Sequence, residues 1–246
     1  MLAVTDSAGV SQGRLRAHYG IDAPYVLAVF GLIGVTAVVT GVLASATWLI
    51  GVGVVFLLEV AVYLHTTLRG KFRLWERLLD ELALSGDEQV LDLGCGRGAV
   101  LLAAARRLPR GTAEGVDLWR SVDQSGNGEL ITRRNAEAEG VGERIDLHTA
   151  DMRNLPLPDG GFDVVLSSLA IHNLPADADR TKVLDEVVRV LRPGGRLVLA
   201  DLRYVRRYAG SLREAGLANV RVRTLGPDGW FTGPWQAISV VTATKP

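Results

Sequence analysis

The run Val90-Leu91-Asp92-Leu93-Gly94-Cys95-Gly96-Arg97-Gly98 has the clearest spacing for chemistry in the 246-residue chain. Three glycines at alternate positions join an apolar strand to a helix. Such a loop can take positive φ and let a ligand come close to the backbone. In open α/β sheets, ligands bind beyond the carboxyl ends of the strands, so this loop lines a nucleotide-type site. Gly94-x-Gly96-x-x-Ala99 also fits the dinucleotide fingerprint. Asp92 argues otherwise: a carboxylate just before the glycines repels a pyrophosphate and attracts a cation.

Other chemistry-bearing residues follow in order. Asp117 ends a second strand, 25 positions after Asp92. Ser167-Ser168-Leu169-Ala170-Ile171-His172-Asn173-Leu174 follows a later apolar strand. His172 titrates near neutral pH and is the candidate catalytic base; its other role is to hold the loop by hydrogen bonds. Asn173 either orients a substrate or caps the turn. Cys95 is the lone cysteine, so an internal disulfide and a cysteine-rich zinc site are excluded. It contributes backbone and a small side chain rather than a nucleophile. His18, His65, His148 and His172 lack metal-ligand spacing, and no metal is expected. The 27 basic and 27 acidic residues cancel, which gives no overall charge for nucleic acid.

Asp92-x-Gly94-x-Gly96-x-Gly98 resembles the first motif of class I S-adenosylmethionine-dependent methyltransferases. The resemblance continues in order through Asp117, Ala150-Asp151-Met152, Phe162-Asp163-Val164-Val165 and Leu191-Arg192-Pro193-Gly194-Gly195-Arg196-Leu197. It spans Lys71 to Pro246 and implies S-adenosylmethionine as cofactor. The implied cofactor-binding set is Asp92, Gly94, Cys95, Gly96, Gly98, Asp117, Leu118, Asp151, Met152 and Ser167. Within it, Asp117 would meet the ribose hydroxyls and Asp151 the adenine amine, while residues 167–174 would lie beside the transferred methyl. Methyl transfer needs alignment first, and a base only where the nucleophile carries a proton. Asp163 and the 191–197 turn read as fold determinants.

The elements that must position these residues alternate. A helix is predicted over Lys71–Leu84, followed by strands at Gln89–Leu93, Thr112–Asp117, Ile145–Thr149, Phe162–Ser168 and Arg196–Asp201. Helices fall between them at Ala99–Leu108, Glu129–Glu139 and Thr181–Leu191, and a further one at Tyr208–Ala215. Val220–Leu225 and Ala237–Thr244 close the chain as an antiparallel pair. The expected fold is therefore α/β, a Rossmann-like doubly wound sheet with a terminal antiparallel strand pair. Leu118–Gly128 is longer than an ordinary connection and reads as a lid, an acceptor pocket, or a surface loop with Asn127 capping the next helix. Gly229–Trp235 is an exposed aromatic cluster that could touch substrate or a membrane interface.

Ahead of this domain lie two apolar runs, Tyr25–Leu43 and Trp48–Leu64, the second broken only by Glu59. Each is close to the roughly 20 residues that cross a bilayer. Gly34, Ala37 and Gly41 share one helical face and allow close packing. Arg14 and Arg16 precede the first run, and Arg69, Lys71 and Arg73 follow the second. Basic flanks at both ends place them in the cytoplasm. The expected organisation is a cytoplasmic tail over residues 1–24, a transmembrane hairpin over 25–68 and a methyltransferase domain over 70–246. The expected partners are the lipid bilayer and a small, lipophilic methyl acceptor. Two other classes stand beside this one: a non-catalytic membrane adaptor that keeps the fold, and a nicotinamide-dependent dehydrogenase, which Asp92 and the terminal strand pair disfavour.

Overall fold

The computed structural model describes residues 17–120 and 124–246. Arg14 and Arg16, and Ser121 to Asp123 of the long connection, lie outside the described residues. Two helices come first, α1 (Pro24–Leu43) and α2 (Thr47–His65). The chain reverses between them, with Ser45 at φ 53°. Gly34, Ala37 and Gly41 form the buried face of α1, as their spacing predicts. A Cβ at Gly53 would lie 2.6 Å from the Gly34 carbonyl oxygen, so the two backbones meet only because side chains are missing there. Outward-facing side chains are apolar: Leu32, Leu43, Trp48 and Leu58 are all exposed. Both helices are long and apolar enough to cross a membrane, and little of either is buried in protein.

The composition changes near Leu68, but the backbone does not break. A π-helical turn, Thr66–Gly70, carries α2 directly into α3 (Lys71–Leu82). The result is one helical rod of 36 residues from Thr47 to Leu82. α3 is amphipathic and buries Leu74, Trp75, Leu78, Leu79 and Leu82 against the sheet domain.

Seven strands form one sheet: β1 (Gln89–Leu93), β2 (Thr112–Asp117), β3 (Ile145–Thr149), β4 (Phe162–Ser168), β5 (Leu191–Asp201), β6 (Ala218–Thr224) and β7 (Ser239–Thr244). Their order is β3-β2-β1-β4-β5-β7-β6. The first five run parallel, and β7 is antiparallel to both β5 and β6. Helices α4 (Ala99–Ala105), α5 (Glu129–Glu139), α6 (Asp177–Val190) and α7 (Val205–Glu214) cover it. Val90, Val164 and Leu166 enter one core cluster, while Leu91, Leu93 and Val165 enter the other. Successive residues of one strand thus bury on opposite faces, which explains why these strands are apolar throughout.

Two boundaries depart from the sequence reading for identifiable reasons. β5 starts at Leu191, so Pro193-Gly194-Gly195 lies inside the strand rather than before it. Leu191 pairs with Phe162 across a bulge, Gly194 takes φ 77°, and Gly194 and Gly195 both hydrogen-bond Lys245. α6 begins at Asp177, four residues early, because the backbone from Ala176 already accepts from Arg180. Asp163 is structural, as its sequence position suggests: it accepts from the Gln89 amide and pairs with Arg192.

Candidate cofactor and acceptor site

At the carboxyl ends of β1, β2 and β4 the chain encloses one cavity. Gly94 and Gly96 adopt φ 73° and 50° after β1, a conformation that side chains rarely take. A Cβ on Gly94 would collide with that of Ala170, and one on Gly96 would lie 2.7 Å from Gln124 Oε1. Backbone therefore forms this wall where a side chain would fill it. Gly98, at φ 86°, caps the start of α4 and lies behind the cavity.

Asp92 and Asp117 both line the cavity. Asp92 is 1% exposed, and neither carboxylate oxygen has a partner among the described residues. Burial pushes its carboxyl up to about 7, and the Asp117 charge adds to the rise. Asp117 shapes the loop as well as facing the cavity: it accepts from the Gly96 amide at 2.8 Å and the Trp119 amide at 2.5 Å. Cys95, Leu118, Asp151 and Met152 also line the cavity. The Asp151 carboxylate is clasped by Arg153 at 2.6 Å, which holds it below the usual carboxylate range. Cys95 is buried, and burial next to Asp92 and Asp117 raises its thiol well above the ordinary value. It is no nucleophile in this state.

Three expected positions, Gly98, Ser167 and His172, fall outside the lining. Ser167 is 2% exposed and donates its hydroxyl to the Leu93 carbonyl, so it ties β4 to β1. Its neighbour Ser168 lines the cavity instead and accepts from the Trp75 indole at 2.9 Å. His172 stands beside the cavity, with Ala170 and Asn173 in the wall on either side. Its Nδ1 lies against Asp201, and that same carboxylate accepts the His172 amide at 3.0 Å. Asn127 does not cap α5, whose N-cap is Gly128; it reaches toward Asp117 and lines the cavity.

The sequence reading missed part of the wall. Asp22, Lys71 and Trp75 line the cavity, as do Arg120 and Gln124 of the long connection read as a lid or acceptor pocket. Lys71 is 5% exposed and pairs with Asp22 at 2.8 Å; Thr67 and Gln124 also hydrogen-bond the Asp22 side chain. Gln124 accepts from the Arg97 amide, so the long connection pins the segment before α1 across the glycine loop. Ser125 extends that clasp by pairing with Ile21. A signal for Lys71 existed: it falls on the stripe of Leu74, Trp75 and Leu78, where a charge needs a buried partner. Asp201, like Asp117, ends a buried strand on the ligand side of the sheet. Nothing local marks Asp22, whose side-chain partners are 45 or more positions away.

Comparison with known proteins bears on this geometry. The family model for a methyltransferase domain matches residues 91–199.

Residues 91–199 are similar to a methyltransferase domain.

The cofactor of such a domain is S-adenosylmethionine. The 27-O-demethylrifamycin SV methyltransferase of Amycolatopsis mediterranei is 35% identical over 63% of this chain and 52% of its own. The demethylmenaquinone methyltransferase of Thermus thermophilus is 38% identical over 52% of this chain and 53% of its own. The chain thus spans about half the length of the curated relatives it matches. Among solved structures, geranyl diphosphate C-methyltransferase of Streptomyces coelicolor A3(2) shares the fold at TM-score 0.56 and 18% identity, over 71% of this chain and 79% of that one. The [4+2]-cyclase SpnF matches equally well in fold, at TM-score 0.56 and 21% identity over 70% and 81% of the two chains. The fold alone does not select one reaction.

The residues present fit the cofactor. An unpartnered buried carboxylate suits a cation, and the two glycines leave backbone where a bulky ligand must approach.

Proposed function

We propose that the chain is a membrane-anchored methyltransferase that delivers the methyl group of S-adenosylmethionine to a small, lipophilic acceptor. The observation that carries this is the wall of the cavity. Asp92, Asp117 and the glycine loop form one side, and Asp22, Lys71 and Trp75, at the two ends of the apolar hairpin, form another. Bound there, S-adenosylmethionine supplies an electrophilic methyl on a cationic sulfur. Asp117, Leu118, Asp151 and Met152 are assigned to its adenosine, and Asp92 to its positive charge. Trp75, Ser168, Leu169 and Ala170 present a largely apolar surface beside that pocket for the acceptor.

His172 is assigned as the proton acceptor for a protonated nucleophile. Asp201, 2% exposed, lies against Nδ1 and accepts from the His172 backbone amide, which sets the ring beside the cavity. The Tyr208 hydroxyl also reaches Asp201, at 3.3 Å, and fixes its orientation. A His172→Asn variant separates the two roles open to the ring. Loss of turnover with cofactor affinity intact supports the base; loss of both assigns His172 to loop support.

Membrane anchoring is supported by the outward apolar faces of α1 and α2 and by basic Arg69 and Arg73 beyond them. The segment before α1 and the rod after α2 both lie on the sheet-domain side, and basic Arg69 and Arg73 there favour a cytoplasmic sheet domain under the positive-inside rule. A tethered site meets membrane-dissolved molecules at high effective concentration. The relatives named for demethylmenaquinone and 27-O-demethylrifamycin SV favour a small-molecule acceptor. The test uses the full chain in vesicles with isotopically labelled S-adenosylmethionine and a membrane extract. Labelled lipid-soluble product and S-adenosylhomocysteine are expected. Tight cofactor binding with no turnover on any extract would leave the adaptor function instead.

A further inference from the structure

The loop between β6 and β7 has no part in the cavity, yet it is the most heavily anchored loop at the base of the hairpin. The Phe231 ring packs edge-on against Tyr63, with centroids 4.8 Å apart. The Trp230 carbonyl accepts from Thr66 Oγ1. Asp228 takes Arg77 at 2.7 Å and faces His65 at 3.4 Å. A Cβ on Gly70 would run into the Asp228 carbonyl oxygen, so the rod and the loop touch backbone to backbone. Tyr63 belongs to the last turn of α2, within about 5 Å of its end at 1.5 Å rise per residue. Phe231 therefore sits at the depth of the hairpin's final turn, not beyond it.

Four residues on, the same loop presents Trp235. Its indole is 72% exposed, while Phe231 and Thr232 beside it are buried. The indole nitrogen donates to Thr232 Oγ1 at 3.0 Å, and the ring lies over Gly233, where a Cβ would be 2.6 Å away. The ring is thus held on the surface in one pose, at little entropic cost for binding. Exposed Leu68 and Arg69 flank the same junction. An amphipathic ring, an exposed leucine and a cation at the end of an apolar helix are the composition of a lipid headgroup layer contact.

We infer that the Pro227–Gln236 loop is a second membrane contact, seating Trp235 in the lipid headgroup layer beside the hairpin. This rests on the membrane anchoring proposed above. Two contacts fix the tilt of the sheet domain where the hairpin alone fixes only its distance. Asp22, in the cavity wall, accepts at its carbonyl from the Tyr63 hydroxyl, so the cavity is held at the same level.

The test is tryptophan quenching with the full chain in vesicles of phosphatidylcholine and phosphatidylglycerol, a fraction of them brominated near the headgroup. Wild type is compared with Trp235→Phe and Trp48→Phe, both at exposed positions. Trp235→Phe should remove about one tryptophan's share of the quenchable emission, out of five in the chain. Trp48→Phe should remove a comparable share and reports the hairpin. Quenching that is lost with Trp48→Phe but unchanged by Trp235→Phe overturns the loop contact and leaves the anchor. Quenching absent from wild type overturns both.

Discussion

Both carboxylate oxygens of Asp92 are buried without a partner among the described residues, and burial pushes the group up to about 7. The folded chain therefore keeps a proton that the unfolded chain, with an ordinary carboxyl near 3.8, has released. Stability falls as pH rises from about 4 to about 7, because the unfolded state binds fewer protons across that window. Asp92→Asn should remove that slope, read by thermal unfolding at pH 5 and pH 8. A cationic ligand reverses the preference and favours the ionised form. Cofactor binding should release a proton near pH 7, and affinity should drop by up to about tenfold per pH unit below it. Calorimetry in two buffers of different ionisation enthalpy detects this, and Asp92→Asn should abolish it. Asp117→Ala should weaken binding by about 1.5–3 kcal/mol, roughly ten- to hundredfold, in the same titration. Undiminished affinity would remove the ribose assignment. The sequence disclosed these two acids because Asp92 directly precedes the glycine loop and Asp117 ends the next strand. Ser167 misled because neighbouring strand residues face opposite ways, and only Ser168 turns to the cavity.

The helical rod from Thr47 to Leu82 joins hairpin and sheet without a hinge. Its π-helical turn shifts the register where Lys71 must reach Asp22. Both side chains of this pair are largely buried, so removing one partner strands the other. Lys71→Met should cost about 3–5 kcal/mol, seen as a lower unfolding temperature in detergent. Asp22→Asn combined with Lys71→Met should recover part of that loss, since no charge is then left unpaired. A double variant less stable than either single one would contradict the pairing. Helix and strand positions were legible because periodicity and glycine stops are local signals, as at Gly140, which ends α5 at φ 69°. The start of β5 was not, because its first residues are extended by pairing with Phe162 and Lys245. Whether a strand continues depends on partners far away in sequence.

For the molecule as a whole, the outward faces of α1 and α2 set the behaviour in water. Leu43 is 82% exposed and Leu32 69%, an apolar surface of the kind the proposed anchoring would cover with lipid. The chain should stay with membranes through an alkaline carbonate wash and leave them only in detergent. Release by carbonate would reject the anchor. The class of fold and the order of its motifs were visible in the sequence, but the union of hairpin and cavity was not. That union depends on Asp22, Thr67, Lys71 and Gln124 meeting in space.

The place of Asp22 before α1 has a consequence for biogenesis. Ribosomes deliver this residue first, yet its partners Lys71 and Gln124 emerge only after both apolar helices. With the hairpin proposed to span the bilayer, residue 22 returns to its partners only once the translocation machinery has set both helices with their ends on one side. A chain stalled in the cytosol, or threaded the wrong way, lacks that closing piece, so competence for the methyl donor is itself a checkpoint on correct delivery.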